Sequence, residues 1–230
     1  MQEEEATTPV NDSFDRIFKK ESHFYDDFIT GRVWYTRLIN RVFFHQRNFL
    51  ASADLVFKML PQDLNGKILD VPCGTGALTK ELYLAHPQVS FTCLDYSENM
   101  ISCFKQALAK EARPASHISF QQGDVAYLPY KDETFDLVIS MNGYQCFPQK
   151  DAALQEMRRV LKQGGLLVGS AYRKGAYLIS DLVVKLYDKK GIMSGPHETE
   201  TEFKAHLEKY FKVEKYEAMG TSVHFCCSRQ

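Results

Sequence analysis

Apolar and polar positions follow two different periods along this chain of 230 residues. Between residues 13 and 59, aromatic and aliphatic side chains such as Phe14, Phe18, Phe24, Phe28, Phe43 and Phe44 recur at helical spacing, which predicts helices. Gly31 is expected to separate two of them, and Pro61 with Asn65-Gly66 predicts a turn. From residue 67 onward, short apolar runs alternate with helical stretches. The runs predict strands over 67–71, 89–94, 117–122, 135–141 and 166–171. Helices are expected over 76–86, 97–111 and 150–161, with Ser97 as N-cap of the second and Glu98 in its first turn. Gln163-Gly164-Gly165 is expected to end the third, glycine supplying the left-handed residue after a helix. A helical insertion over 176–189 and a Gly/Pro-containing loop over 191–197 follow. Thr199 with Glu202 three residues on reads as a capping box for a helix reaching about residue 211. Two β-runs, 213–218 and 222–227, joined by a turn at Gly220, predict a closing antiparallel pair.

This alternation argues for one α/β domain with a doubly wound, Rossmann-like sheet. Seven strands are expected, mostly parallel with an antiparallel last strand, plus an N-terminal helical extension. Residues 12–230 are read as that single domain: 12–60 a helical lid or extension, 61–171 a cofactor-binding core, 172–212 a helical insertion and 213–230 the closing strands. Residues 1–11, acidic and polar, are expected to be disordered. They lack a basic region followed by an apolar one, so no signal peptide is expected. No stretch approaches the roughly 18–20 apolar residues of a bilayer span. The net charge of −1 and the lack of a long basic run give no sign of a large nucleic-acid footprint. None of the six cysteines pairs as C-x-x-C, so they are read as reduced thiols in a cytoplasmic protein, with no metal site.

The chemistry concentrates in residues 67–79, Lys-Ile-Leu-Asp-Val-Pro-Cys-Gly-Thr-Gly-Ala-Leu-Thr. An apolar run ends in Asp70, a Gly74-x-Gly76 turn follows, and then a helix-compatible stretch. Open α/β sheets bind nucleotide-like cofactors at such a place. Asp95 ends the next predicted strand, 19 residues after Gly76. An acid there can accept hydrogen bonds from both hydroxyls of a ribose. Asp124, in Gln-Gly-Asp-Val, can accept from an exocyclic amine such as that of adenine, or can serve an Asx-turn. Where a dinucleotide loop has its third glycine this chain has Thr79, which argues against close approach of a pyrophosphate.

Five ordered motifs, at 69–76, 94–100, 123–125, 128–138 and 159–165, together resemble those of class I S-adenosylmethionine-dependent methyltransferases. The resemblance is to the branch that includes ubiquinone/menaquinone-type and many small-molecule enzymes, and it runs from about residue 67 to 171. It implies S-adenosylmethionine as cofactor, with Asp70, Pro72, Cys73, Gly74 and Gly76 around its methionine end. It further implies Asp95 on the ribose, Tyr96 and Met100 near the adenosine, and Asp124 and Val125 at the adenine. Met141 and Asn142 would close the pocket near the methionyl group. Pro72 departs from the pattern, standing where the family usually has its first glycine. Transfer would run by in-line displacement to a small-molecule acceptor, with alignment and desolvation as the main needs. Tyr25, Tyr35, Tyr144, Gln145 and Tyr172 are candidates to surround the acceptor. Arg32 and Arg173 could meet an acidic one, although solvated surface roles are the usual ones. His23, His45, His197 and His224 are general-base candidates by chemistry alone. A methyltransferase acting on RNA or protein is the alternative, as is a non-catalytic nucleotide-binding protein. Against the former, the 135–141 strand leads into Ser-Met-Asn-Gly-Tyr rather than Asn-Pro-Pro-Tyr.

Overall fold

The structure, a computed structural model, describes residues 22–45 and 49–230, and side chains from Tyr25 onward. The tail expected over 1–11, Phe14 and Phe18, and the side chain of His23 lie outside the described residues. Among the described residues three helices come first: α1 (Ser22–Thr30), α2 (Trp34–Phe43) and α3 (Leu50–Phe57). Gly31, at φ +62°, breaks α1 from α2 as expected. Strands and helices then alternate: β1 (Lys67–Asp70), α4 (Lys80–Ala85), β2 (Ser90–Asp95), α5 (Glu98–Ala109), β3 (Ile118–Gln122) and β4 (Phe135–Met141). After a 3-10 turn at Tyr144–Cys146 come α6 (Lys150–Val160), β5 (Leu161–Tyr172), α7 (Leu178–Lys189), α8 (Glu200–Glu208), β6 (Lys212–Met219) and β7 (Ser222–Ser228).

The seven strands form one sheet in the order β3-β2-β1-β4-β5-β7-β6. The first five pair in parallel, while β7 runs antiparallel to both β5 and β6. Central parallel strands are covered on both faces, and β4 (FDLVISM) is accordingly buried almost throughout. Successive residues of β1 supply opposite layers. Ile68 joins Phe91, Cys93, Ile101 and Phe104 on one side, and Leu69 joins Val138, Leu154, Met157 and Phe203 on the other. Local signals agree with this packing. The Ser97 hydroxyl accepts from the Met100 N–H at 3.2 Å to cap α5, whose inner face is Met100, Ile101, Phe104 and Leu108. At α8 both halves of the Thr199–Glu202 capping box form.

Two expectations need correction. The helix expected over 76–86 is only Lys80–Ala85, because Gly76 at φ +72° holds 76–79 in turns. The helix over 150–161 is not ended by Gln163-Gly164-Gly165. It stops at Val160 and passes directly into β5. The carbonyls of Arg159 and Val160 accept from the N–H groups of Glu133 and Thr134 at 3.0 and 2.8 Å, so the preceding loop caps α6 and no glycine cap is needed. Gly164, at φ +72°, sits instead within the first residues of β5.

Candidate functional site

The strand order reverses between β1 and β4, and the loops leaving the carboxyl ends of β1, β2, β3 and β4 meet there, as expected for a ligand crevice of an open α/β sheet. They enclose one side of a cavity of about 420 Å³.

The loop after β1 is anchored at both ends. The Val71 N–H donates to the Ile139 carbonyl and the Cys73 N–H to the Leu94 carbonyl, each at 2.9 Å. Pro72, with a cis peptide before it, lines the cavity and loses no donor that the loop uses. Its ring abuts the next loop so closely that a Cβ built on Gly143 would lie 2.1 Å from its Cδ. Gly76 is required twice over: its φ is +72°, and a Cβ there would lie 2.3 Å from Phe104 Cε2.

Three carboxylates border this side, and each is already engaged. Asp95 accepts from the Gly74 N–H at 2.8 Å and the Ser97 N–H at 2.9 Å, tying the glycine loop to the end of β2. Asp124 accepts from the Ala126 N–H at 2.9 Å, so it lines the cavity and makes the Asx-turn at once. Asp70 accepts from Thr79 Oγ1 at 3.1 Å and from the Tyr83 hydroxyl. Burial pushes its carboxyl up to about 7, against the pull of those two donors. Its Oδ1 is buried without a partner.

Asn142 leaves β4 at φ +52°. Its N–H donates to the Ser170 carbonyl at 2.9 Å, its Oδ1 accepts from Ser170 Oγ at 3.2 Å, and its Nδ2 is a buried donor without a partner. Gln145 braces it, donating from Nε2 to the Asn142 carbonyl at 2.7 Å while accepting from the Tyr172 N–H at 3.2 Å. Cys73, Tyr96, Met100, Val125 and Met141 also line the cavity. All twelve residues that the resemblance assigns to the cofactor therefore meet at one cavity.

The remaining wall is largely apolar. Phe28, Ile29, Ile39, Phe44 and Phe49 come from α1, α2 and the residues next to α2 and α3; Tyr187, Ile192 and Met193 come from α7 and the loop after it. Tyr25 lines the cavity beside Gly74, and Asp26 Oδ1 accepts from Thr75 Oγ1 at 2.5 Å, fastening α1 to the glycine loop. Burial raises the Tyr25 phenol above its usual range.

Of the acceptor candidates, Tyr25, Gln145 and Tyr172 reach the cavity, and the Tyr172 hydroxyl donates to Asp181. Tyr35 and Tyr144 do not. Tyr35 lies on the outward side of α2, 39% exposed. Tyr144 turns into the core, its hydroxyl donating to Glu198 at 2.7 Å and lying 2.8 Å from His206 Nδ1. No described histidine ring lines the cavity. His45 stacks on Tyr177, His197 Nε2 is 2.8 Å from Asp188, and His224 Nε2 is 2.6 Å from Ser52 Oγ. Arg173 is held by Glu200 and the Gly220 carbonyl, and Arg32 is exposed. The cavity residues Tyr187, Lys190, Ile192 and Met193 were not foreseen. Helical phase could have found Tyr187, which follows Ser180, Val183 and Val184 on the inner face of α7. Phe44, one of the aromatics at helical spacing, is both buried and part of the cavity wall.

Fold and site together define a Rossmann-like protein with a cleft at the switch point of its sheet. Residues 68–165 match the methyltransferase-domain family. A demethylmenaquinone methyltransferase from Staphylococcus haemolyticus is 35% identical over 159 residues, covering 67% of this chain and 63% of that protein. One from Staphylococcus aureus is 36% identical over 135 residues, 58% and 54% respectively. The chain thus spans less than two thirds of the length of these relatives. Among solved structures, a chain in the complex between the Haloferax volcanii Trm112 methyltransferase activator and the putative methyltransferase superposes with a TM-score of 0.71 at 14% identity, covering 96% of this chain and 97% of that one. A possible histamine N-methyltransferase from Thermotoga maritima gives 0.67 at 18% identity, covering 95% and 100%. The domain over residues 68–165 thus belongs with the class I S-adenosylmethionine-dependent methyltransferases.

The residues present fit S-adenosylmethionine. Its amino acid end carries an ammonium and a carboxylate, and the cavity offers the unpartnered acceptor Asp70 Oδ1 and the unpartnered donor Asn142 Nδ2. Its sulfonium is a cation, and among the described residues Asp70, Asp95 and Asp124 border the cavity against a single basic residue, Lys190. That balance is the wrong one for a pyrophosphate.

Proposed function

We propose that this protein transfers a methyl group from S-adenosylmethionine to a small, largely apolar acceptor, a hydroxylated quinone-type ring being the favoured class. The observation that carries this reading is one cavity with two unlike halves: carboxylates and a glycine loop on one side, aromatic and aliphatic side chains on the other. Its volume of about 420 Å³ lies within the ordinary small-ligand range of roughly 300–1,000 Å³. The Staphylococcus relatives, named as demethylmenaquinone methyltransferases, support an acceptor of that kind.

Bound there, S-adenosylmethionine supplies a methyl group on a good leaving group. The chain's own part is to hold, orient and exclude water. Asp95, tied to the Gly74 and Ser97 N–H groups, takes the ribose hydroxyls. Asp124 and Val125 take the adenine edge, and Tyr96 and Met100 pack on the adenosine. Asp70 and Asn142 take the charged ends of the methionine portion. Phe28, Phe44, Phe49 and Met193 keep water from the acceptor side. The reading gives the described histidines no part in proton transfer.

Calorimetry with S-adenosylmethionine and with NAD tests the cofactor assignment. Micromolar-range binding of the former is expected, weakened at least about tenfold in Asp95→Ala, since hydrogen bonds to a charged acceptor are worth roughly 1.5–3 kcal/mol each. Binding of NAD in its place would overturn it. The acceptor is tested by following labelled methyl from the cofactor into a short-chain demethylnaphthoquinol, with RNA and protein as rival substrates; label in either rival would sink the small-molecule reading.

A further inference from the structure

Helices α2 and α7 carry matching apolar stripes on their outward faces. On α2 the stripe is Trp34, Leu38 and Val42, with Tyr35 beside it, and Trp34 is 68% exposed. On α7 it is Leu178, Leu182 and Leu186, with Ile179 beside it, and Leu178 is 84% exposed. Each set follows i, i+4, i+8, and so lies along one side of its helix. The opposite faces are engaged. Thr36 and Asn40 are buried, donating to the carbonyls of Asp27 and Phe28, and the buried Ser180 hydroxyl donates to the Phe43 carbonyl. Phe43, Val183 and Tyr187 pack on the cluster of Ile29, Phe44 and Phe49. Both helices turn their inner faces to that one cluster and pack against each other, Ser180 of α7 donating to the Phe43 carbonyl of α2, so both stripes look away from the cluster on adjacent helices. Contiguous apolar exposure of this kind marks an interaction surface.

The charge around the stripes selects the partner. Arg37 and Arg41 flank the first, and Lys185 and Lys189 the second; all are exposed, and none is ion-paired with another described residue. The acids of α7 point the other way. Asp181 accepts from Tyr172 and from the Gly175 N–H, and Asp188 meets His197 at 2.8 Å. The outward face is therefore apolar with a cationic rim, although the whole chain carries a net charge of −1.

We propose that α2 and α7 dock this protein on an anionic lipid bilayer, lying in the headgroup region with their apolar stripes buried and their basic residues on lipid phosphates. No helix among the described residues is long and apolar enough to cross a membrane, so the contact is with the surface. A second copy of the chain would cover the stripes but would set like charges of the two rims against each other. The same helices wall the cavity, through Ile39 of α2 and Tyr187 of α7. Docking therefore sets the apolar half of the cavity next to lipid, from which an apolar acceptor would enter; that last step rests on the proposed function, while the docking itself does not.

Trp34 is the chain's single tryptophan, so its fluorescence reports on this face alone. The full chain, without cofactor, is mixed with phosphatidylcholine vesicles with or without phosphatidylglycerol. With the anionic vesicles, Trp34 emission is expected to move to shorter wavelength and to be quenched by brominated acyl chains, and binding is expected to weaken as salt is raised. Leu38→Glu with Leu182→Glu should abolish co-sedimentation with vesicles. Arg37→Ala, Arg41→Ala and Lys185→Ala together should weaken it about a hundredfold, each basic residue contributing about fivefold near the surface. Melting curves identify any variant that has merely unfolded, in which case Leu182→Gln takes its place. The proposal is overturned if anionic vesicles do not bind, or if folded variants bind as the parent does. It is likewise overturned if Trp34 is already shielded in the free protein, by a second copy seen in light scattering or by another part of this chain.

Discussion

Gly76 allows backbone strain and steric clash to be separated within one molecule. Gly76 and Gly164 share the same φ of +72°, but their surroundings differ. A Cβ on Gly164 meets nothing within 4 Å, whereas on Gly76 it would lie 2.3 Å from Phe104 Cε2 and 2.4 Å from Cζ. Gly164→Ala therefore measures the left-handed backbone cost alone, about 1–2 kcal/mol. Gly76→Ala adds the cost of forcing a methyl group against a fully buried ring, about 1–3 kcal/mol, for roughly 2–5 kcal/mol in all. For a domain of this size each kcal/mol lowers the melting midpoint by about 2–4 °C. Gly76→Ala is thus expected to melt several degrees below Gly164→Ala by calorimetry. On a Phe104→Ala background the ring is gone, and the cost of Gly76→Ala should fall to that of Gly164→Ala. Because the substitution moves the loop that holds Asp95, the affinity for S-adenosylmethionine should fall with it, while Gly164→Ala leaves the affinity unchanged. Equal losses of stability at the two glycines, or a Gly76→Ala cost indifferent to Phe104, would refute the reasoning.

Asp70 should make the fold pH-dependent. Its carboxyl is held at about 7 when folded against the usual 3.8, so its contribution is fully present below about pH 4 and is lost as the pH rises through 7, by at most about 4 kcal/mol. Asp70→Asn should flatten that slope in urea melts between pH 5 and 8, and parallel curves for parent and variant would contradict the assignment. At α8, Thr199→Ala removes the oxygen that accepts from the Glu202 N–H and should cost about 1 kcal/mol, read as a drop of about 3 °C in melting midpoint.

The cofactor side was legible because it is written in local signals. A run of apolar residues, an acid at its end and two glycines report backbone requirements that lie within a few residues, and β4 was placed over 135–141 as the structure has it. The end of α6 was not legible for the opposite reason. Its last carbonyls are met by Glu133 and Thr134, more than twenty residues earlier, so the glycines at 164 and 165 pointed to a cap that the fold does not use. Tyr144 shows the same limit. Adjacency to β4 suggested the cavity, but its hydroxyl finds Glu198 and His206, some sixty residues away, and the ring follows them into the core. The apolar wall drew on helix faces whose spacing alone reads as core, and Phe44 is both core and wall.

The carboxylates raise a further point about the proposed reaction. When an uncharged or anionic nucleophile takes a methyl group from a sulfonium, positive charge is dispersed or cancelled. Groups that favour the full cation therefore hold the reactant at least as firmly as the transition state, and add affinity rather than rate. The structure limits that penalty. Asp95 faces the N–H groups of Gly74 and Ser97, Asp124 that of Ala126, and Asp70 the hydroxyls of Thr79 and Tyr83, so each charge is partly met by fixed donors before any ligand arrives. Across the cavity, Phe28, Phe44, Phe49 and Met193 offer a side of low polarity, where loss of charge is favoured and water is kept from competing with the acceptor. Affinity is thereby assigned to the ends of β1, β2 and β3, and turnover to the helical wall. On the proposed reaction, the loops that the sequence marks most clearly are those that bind, and the aromatic helices that it marks least are those that set the rate.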